Sequence, residues 1–235
     1  NGLIFVWQDP EGNVPIPEQE PERQEDCYSG EWTNWQMAAI PIKSLGRELV
    51  DNMADMAHFG PIHYSKVKSF RNTMEGHKFV QYMVGGHQIL TEGDGALITS
   101  VATYEGPAYM TTTLTGLMDG HPMTTHLLVS HIPVDMENFI INFGVMMKKD
   151  PNISEAGNKA MVEEYTEKNI ESFHQDVAIW NNKCIIDNPL MCDGDGPVHL
   201  VRKWYSQFMT DVADIQEDQV RARQHVTVEG PSVEE

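Results

Sequence analysis

"DNMADMAHFGPIH", residues 51–63, places two aspartates, one asparagine and two histidines inside an otherwise apolar run. The surrounding residues 44–59 predict a helix whose first residue, a serine, is a suitable N-cap. On an unbroken helix Asp51, Asp55 and His58 would share one face, because successive residues advance by about 100°. The stretch therefore predicts a cluster of polar groups that could bind a metal ion.

The second histidine of this stretch needs a break in the helix to approach the first. His63 follows His58 by five residues, which is about 140° further round a regular helix, so the two rings would diverge. Gly60 and Pro61 lie between them, and proline disfavours helix continuation. We expect the chain to turn after Phe59 and to bring the histidines together, although buried histidines satisfied by backbone groups would give the same pattern.

Strand and helix signals divide the rest of the chain into a sheet and two C-terminal helices. Residues 34–42 predict a strand, and residues 77–147 predict an antiparallel meander of about five strands, rich in Thr, Tyr and Val. Residues 154–186 and 199–215 predict helices, followed by a charged, frayed tail. This order predicts an α+β fold in which a curved antiparallel sheet grips a long C-terminal helix, with a cavity between them.

The long helix carries a carboxylate on its apolar face. With Asp176 taken as 0° on the helical wheel, Tyr165, Phe173 and Trp180 all lie within about 60° of it. A buried carboxylate is unfavourable unless it is paired, and either a metal ion or a core Tyr or Arg could be its partner. Two histidines and one carboxylate on one side of a metal form the arrangement of non-haem Fe(II) oxygenases.

Composition and charge narrow the classes of partner. The chain has 235 residues, 40% hydrophobic and 22% charged, which is enough for one large core or two modest domains. No apolar run approaches the ~18 residues that a membrane-spanning helix requires. The formal net charge of −19 argues against nucleic acid and anionic membrane surfaces, since both attract basic patches.

The cysteines indicate a reducing compartment. Cys27, Cys184 and Cys192 form an odd and sparse set, so they do not predict a disulfide framework, and we expect a cytoplasmic protein. Their spacing is not typical of a thiolate-ligated metal cluster within this chain.

The N-terminal residues indicate that another domain precedes this one. "GLIFVW", residues 2–7, predicts a buried strand that has no nearby hairpin partner. We therefore expect residues 1–13 to be the last strand of a missing N-terminal domain. Residues 14–32, rich in Pro, Glu and Gln, would be a linker, and residues 33–235 a second domain.

A family resemblance emerges when these features are taken together. Residues 52–63 contain Asn-x2-Asp-x2-His-x4-His, which resembles the signature of the catalytic domain of Rieske non-haem iron oxygenases. Residues 2–13 resemble the last strand of a Rieske domain, and residues 173–215 resemble the C-terminal region of bacterial 3-ketosteroid 9α-hydroxylases. The resemblance covers nearly the whole chain. It implies a START-like helix-grip fold with a mononuclear iron site in residues 33–235.

The resemblance implies a role for each matching residue. His58, His63 and Asp176 would bind the iron, and Asp55 would link the iron site to the metal cluster of a neighbouring subunit. Asn52 would lie close to the iron without binding it. Six residues would line the substrate cavity: Met53, Gln81, Tyr104, Met110, Phe173 and Trp180.

The same resemblance implies a reaction and partners. The chain would be the oxygen-activating part of a monooxygenase that uses Fe(II) and O2 to hydroxylate a small, apolar, steroid-like substrate, most specifically a 3-ketosteroid at carbon 9. Electrons would come from a reductase through a [2Fe–2S] Rieske cluster in the missing N-terminal domain. Contact between that cluster and the iron of a neighbour implies a head-to-tail homotrimer.

Three alternatives remain open. The chain could be a related oxygenase acting on a sterol, a bile acid or an aromatic compound. It could be a lipid-binding module of the same fold without metal. It could also be a zinc hydrolase, which the lack of a Glu directly after His58 disfavours, because such enzymes need a nearby general base.

Overall fold

The fold combines one large sheet with a few helices. The computed structural model describes residues 1–91, 96–118 and 120–231. The strands are β1 (Gln36–Ile42), β2 (Val67–Glu75), β3 (Lys78–Gly85), β4 (Ile98–Glu105), β5 (Tyr109–Met118), β6 (His121–Pro133), β7 (Phe139–Met147) and β8 (Arg223–Val228). The α-helices are α1 (Gly46–Asn52), α2 (Phe59–His63), α3 (Glu155–Trp180), α4 (Val198–Tyr205) and α5 (Glu217–Val220).

All eight strands lie in one antiparallel sheet with the order β1-β7-β6-β5-β4-β3-β2-β8. Strands β2 to β7 are neighbours in chain order, while β1 pairs with β7 and β8 pairs with β2. Alternate residues face the core: in β4, Ile98, Ala102 and Tyr104 are buried and the intervening residues are partly exposed. This period of two is the pattern that allows such strands to be predicted from sequence.

The predicted strands at 34–42 and within 77–147 are confirmed. The sheet also contains two strands that the sequence did not predict, β2 and β8. Strand β2 precedes the meander, and β8 lies in the segment that was expected to be a frayed tail. The β8 residues find backbone partners on β2, for example Asn72 opposite His225. A partner so distant in sequence leaves no local signal. Residues 232–235 of the expected tail lie outside the described part of the chain.

The two predicted C-terminal helices are present but shorter than expected. Helix α3 begins as predicted after Ser154, whose hydroxyl accepts the Gly157 N–H at 3.1 Å. It ends at Trp180 rather than at residue 186, and the side chain of the next residue, Asn181, accepts the Lys43 N–H at 2.8 Å. Helix α4 similarly gives way to short 3-10 turns.

The strand predicted at residues 2–7 is not formed in this chain. Residues 1–9 have no regular secondary structure, and Ile4 and Val6 are 95% and 85% exposed. A strand needs a hydrogen-bonded neighbour, and no described strand lies beside these residues. The assignment of residues 1–13, 14–32 and 33–235 to separate units stays a prediction.

Two apolar clusters flank the inner face of the sheet. One joins α3 to β1 and β7 through side chains such as Val162, Tyr165 and Ile141. The other packs Trp204 of α4 against Phe79 of β3. The space between the clusters holds the candidate site. Among the helices of the described residues, none is both long enough and apolar enough to cross a membrane.

Candidate metal centre

The segment that carries the two histidines is a broken helix. The continuous helix predicted over residues 44–59 is wrong: α1 ends at Asn52, and α2 begins only at Phe59. Ser44 is not the N-cap, because Leu45 occupies that position and no side chain caps the helix. Asp51, Asp55 and His58 therefore do not form one helical face.

The break also lies earlier than the sequence suggests. The chain leaves the helix at residues 53–57, and Gly60 and Pro61 lie inside α2. Proline is tolerated there because the N–H groups of a first helical turn have no helical acceptor. His63 does lie beside His58, with 5.3 Å between ring centroids, but the residues between them form α2 rather than a turn after Phe59.

Contacts with distant residues hold this turn in place. The Met53 carbonyl accepts hydrogen bonds from Asn72 Nδ2 at 3.1 Å and Gln81 Nε2 at 2.7 Å, and both amides are buried. The Ala54 carbonyl lies against Gly196, where a Cβ atom would be 2.0 Å from the oxygen. Because these partners come from β2, β3 and the loop before α4, the local sequence could not reveal the turn.

The three predicted ligands converge. His58, His63 and Asp176 each present one ligand atom, and these atoms all lie within 4.8 Å of one another. Nε2 of His63 is 3.2 Å from Oδ2 of Asp176, and the two imidazole rings are 5.3 Å apart between centroids. Asp176 is buried on α3, as its position on the helical wheel predicts.

The remaining ring nitrogens are already engaged, which orients both histidines. Nδ1 of His58 hydrogen-bonds the main-chain carbonyl of Asp55, and Nδ1 of His63 hydrogen-bonds Oε1 of Gln175 at 2.9 Å. Carbonyl oxygens only accept, so each Nδ1 carries a proton, and Nε2 is the nitrogen of each ring that can give a lone pair to a metal. Two imidazole nitrogens and one carboxylate oxygen therefore face a common point. This donor set suits a divalent transition metal such as Fe(II).

The electrostatics of the two histidines differ. Burial lowers the pKa of His58 below its ordinary value, even though Asp176 and Asp55 are close. Burial also opposes protonation of His63, but the hydrogen bond and charge of Asp176 outweigh it and raise the pKa of this ring. A metal cation bound by the three groups would replace the proton of His63 as the positive charge beside the Asp176 carboxylate.

Asp55 lies on the outer side of the centre. Its Oδ1 accepts N–H groups from Ala57 at 3.0 Å and His58 at 3.3 Å, and its side chain is 37% exposed. The carboxylate does not accept the ring N–H of His58: its Oδ2 is 3.8 Å from Nδ1, which hydrogen-bonds the Asp55 carbonyl. Asp55 lines a second cavity of about 240 Å³, and Asn52 borders both this cavity and the one beside the centre.

The centre opens into a cavity of about 170 Å³ between α3 and the sheet. Its walls are mainly apolar side chains of β3 to β7 and of α3. The six residues predicted to bind substrate lie in its wall, namely Met53, Gln81, Tyr104, Met110, Phe173 and Trp180. That the cavity binds a substrate stays a prediction. Gln81 nevertheless uses its amide nitrogen on the Met53 carbonyl, so part of its function is to support the turn.

Sequence reasoning missed three residues around the centre. His87 stacks on His63 with 5.0 Å between ring centroids, and its Nε2 is 2.9 Å from the Ser172 hydroxyl. Burial lowers the pKa of His87 to about 3, so this ring is neutral at ordinary pH. Gln175 is the third. Ser172 lies four residues before Asp176 on the same helix, a spacing that could have drawn attention to it, whereas Gln175, one residue before Asp176, gives no such signal.

Comparison with solved structures shows which fold the chain shares. The chain resembles Pseudomonas putida CBB5 NdmB with a TM-score of 0.58 and 11% identity, over 90% of this chain and 62% of that chain. It resembles dicamba monooxygenase bound to dicamba with a TM-score of 0.55 and 13% identity, over 86% and 64%. The fold is that of the catalytic domains of Rieske oxygenases.

Comparison of sequences defines the family. A family model described as the C-terminal domain of 3-ketosteroid 9alpha-hydroxylase matches residues 6–209, and the chain belongs to this family. It is 42% identical over 228 residues to the oxygenase component of a 3-ketosteroid-9-alpha-monooxygenase of Rhodococcus rhodochrous. The corresponding protein of Mycobacterium tuberculosis (strain ATCC 25618 / H37Rv) is 37% identical over 226 residues. Each match covers 94% of this chain but only 58% of the relative.

Proposed function

We propose that this chain is the catalytic domain of a Rieske-type monooxygenase that hydroxylates a steroid, most specifically a 3-ketosteroid at carbon 9. The observation that carries the proposal is the convergence of His58, His63 and Asp176 at the wall of an apolar cavity. The names of the relatives and the family supply the substrate class.

The metal centre would be held by the two Nε2 atoms and the Asp176 carboxylate. A bound Fe(II) would supply the activation of O2, which side chains alone cannot perform. The protein's contribution is orientation: the Asp55 carbonyl and the Gln175 amide fix both imidazoles with Nε2 facing inward. Because the three ligands occupy one side, positions remain open for O2 and for substrate to approach.

The cavity would bind the substrate by shape and by exclusion of water. Phe173 lies between Phe143 and Trp180, with ring centroids 5.3 and 5.4 Å away, and forms a rigid aromatic wall one turn from Asp176. Met53, Met110 and the buried Tyr104 complete an apolar surface suited to a rigid hydrocarbon skeleton. Such a wall would hold one C–H bond near the metal and keep bulk water away.

Asp55 would connect this centre to its electron source. Its half-exposed carboxylate is held by two main-chain N–H groups, while its carbonyl holds His58. A histidine of a Rieske cluster in a neighbouring subunit could hydrogen-bond the free side of this carboxylate. The proposal includes a preceding N-terminal domain with a [2Fe–2S] cluster, a head-to-tail homotrimer, a separate reductase and a cytoplasmic location. It also includes the helix-grip description, in which the sheet curves round α3.

A second candidate is a related oxygenase acting on a sterol. The chain is also 25% identical, over 241 residues, to cholesterol 7-desaturase nvd of Xenopus laevis, and the apolar cavity would accept a sterol equally well. A metal-free lipid-binding module is a weaker candidate, because it would have no need for three converging ligand groups whose histidine Nδ1 atoms are already occupied.

The decisive experiment measures iron and oxygen uptake together. The whole protein, including any N-terminal domain, is tested with ketosteroids, sterols and aromatic compounds. We expect uptake coupled to hydroxylation of a 3-ketosteroid. The Asp176→Ala variant should lose the mononuclear iron and retain the fold, while Glu171→Ala, an exposed carboxylate on the same helix, should keep both. Full mononuclear iron occupancy in Asp176→Ala would overturn the ligand assignment.

A further inference from the structure

The imidazole of His63 is restrained at three places. Its Nδ1 is 2.9 Å from Oε1 of Gln175, and its Nε2 is 3.2 Å from Oδ2 of Asp176. One face of the ring lies against His87, with an interplanar angle of 28°. The ring is 5% exposed, so water cannot readily replace these partners.

The contact with Gln175 decides which nitrogen of His63 can bind a metal. An amide oxygen accepts hydrogen bonds and does not donate them, so it requires the proton of His63 on Nδ1. That leaves Nε2, which faces Asp176, as the nitrogen that can bind a metal once it is deprotonated. In the other tautomer Nε2 would carry the proton, and the ring could not bind a metal through that atom.

The two ligand histidines obtain this orientation from different sources. His58 donates to the main-chain carbonyl of Asp55, which is present whatever the side chain at that position. His63 depends on the side chain of Gln175, the residue next to Asp176. Helix α3 therefore supplies both a direct ligand and the acceptor that orients a second ligand.

The neighbouring histidine cannot replace Gln175. His87 accepts the N–H groups of Ile89 at 3.1 Å and Leu90 at 3.3 Å on Nδ1, and its Nε2 hydrogen-bonds the Ser172 hydroxyl. Both of its nitrogens are thus engaged away from His63. Its contribution to the ring of His63 is stacking alone.

We infer that Gln175 is a positioning residue for the metal: its amide oxygen holds His63 in the tautomer and orientation that direct Nε2 to the site. The inference rests on the proposed function, because it requires that His63 binds iron. Partners that orient a ligand in this way typically change metal affinity about 10–100-fold when they are removed.

The test is metal affinity in the purified chain, measured without oxygen by competition between the protein and a chromophoric chelator for Fe(II), and repeated with Co(II). Gln175→Leu removes the acceptor and should weaken binding about 10–100-fold, with a changed Co(II) absorption spectrum. Gln175→Glu keeps an acceptor and adds charge, so it should bind at least as tightly as the wild type. His174→Leu removes an exposed, metal-capable neighbour and should change nothing.

The outcomes separate this inference from the proposed function. If Gln175→Leu binds Fe(II) within about twofold of the wild type, or if Gln175→Glu binds more weakly, Gln175 has no positioning role. If Gln175→Leu does not fold, the Gln175→Glu variant alone decides. If the wild type binds no Fe(II), or if Asp176→Ala binds it equally well, the proposed metal centre is wrong and the Gln175 inference fails with it.

Discussion

Helix α3 and the segment from residue 46 to residue 63 bring side chains to the same centre, but they are held in opposite ways. The position of Asp176 on α3 follows from a regular helix that starts at the Ser154 cap and buries one face. The positions of His58 and His63 follow from a turn at residues 53–57 that distant groups hold. The comparison shows that a regular element positions a ligand through local geometry, whereas an irregular one depends on tertiary contacts.

The largest expected loss of stability comes from Gly196, which lets the loop before α4 lie against the turn at residues 53–57. A Cβ at Gly196 would meet the Ala54 carbonyl at 2.0 Å, and its φ of +78° disfavours side chains. Strain of about 2 kcal/mol and overpacking of about 2 kcal/mol predict that Gly196→Ala loses about 4 kcal/mol, measured by denaturant unfolding. Metal affinity should fall with it.

A glycine two positions away provides the control for this prediction. Gly194 has open space around the position of a Cβ and no positive φ. Gly194→Ala should therefore leave stability within about 0.5 kcal/mol of the wild type. Equal losses in the two variants would mean that the Ala54 contact does not hold the turn.

The next effect tests the charges that fix α1 on α4. Arg202 donates to Asp51 at 2.7 and 2.9 Å and also to the Asp187 carbonyl, so it joins α1 to the chain that follows α3. The arginine and aspartate side chains are 12% and 6% exposed. Arg202→Met leaves a buried carboxylate unpaired, so the free energy of unfolding should fall by about 3 kcal/mol.

The adjacent Lys203 offers a matched comparison. It pairs with Asp218 at 3.1 Å, but the two side chains are 44% and 49% exposed, so solvent screens the pair. Lys203→Met should change stability by less than about 1 kcal/mol. A loss in Arg202→Met no larger than this would show that α1 does not depend on the buried pair.

The same contrast explains what could be predicted from sequence. The strands of the meander and the start of α3 follow from period-two alternation and from a serine cap, which are local patterns. The end of α1 and strand β8 could not be predicted, since their partners, such as Gln81 and Asn72, lie far away along the chain.

The candidate site divides in the same way. The motif and the helical wheel pointed to His58, His63 and Asp176, which do converge. The polar groups that orient them were missed, because Gln175 and His87 carry no motif. The six cavity residues were named from the family resemblance, since a cavity wall built from five strands and a helix has no local signature.

An effect of intermediate size concerns how stability depends on pH, through a buried histidine at the start of α1. The His131 ring is 5% exposed and lies against Gly46, the first residue of α1, and burial lowers the pKa of His131 to about 4. In the unfolded chain this imidazole has its ordinary pKa of about 6.5, so the unfolded state takes up the proton at a higher pH than the folded state. The stability that the neutral ring contributes is therefore fully present above about pH 6.5 and is lost as the pH falls towards 4. At pH 5 the loss should be about 2 kcal/mol relative to neutral pH.

A variant without this ring isolates the contribution from those of the other buried histidines. His131→Gln cannot titrate, so the stability difference between wild type and variant should shrink by about 2 kcal/mol between pH 7 and pH 5. Denaturant unfolding at several pH values measures it. A constant difference would show that His131 does not titrate in this range.

The smallest expected effect concerns the residue that ends α2. Tyr64 has φ +50° and ψ +33°, a left-handed conformation that favours glycine at this position after a helix, and its side chain is 67% exposed. Tyr64→Gly should relieve backbone strain and raise stability by about 0.5–1 kcal/mol, less than the full strain because glycine makes the unfolded chain more flexible.

Comparison with alanine separates the backbone from the ring. Tyr64→Ala removes the same exposed ring but keeps a Cβ, so it should give no gain, and denaturant midpoints of the two variants measure the difference. Fe(II) affinity should stay at the wild-type value in both, because the tyrosine is not among the groups that contact the converging ligands. If Tyr64→Gly binds Fe(II) more weakly while Tyr64→Ala does not, a Cβ at this position restrains the backbone that holds His63, and the irregular segment depends on its own backbone as well as on distant contacts.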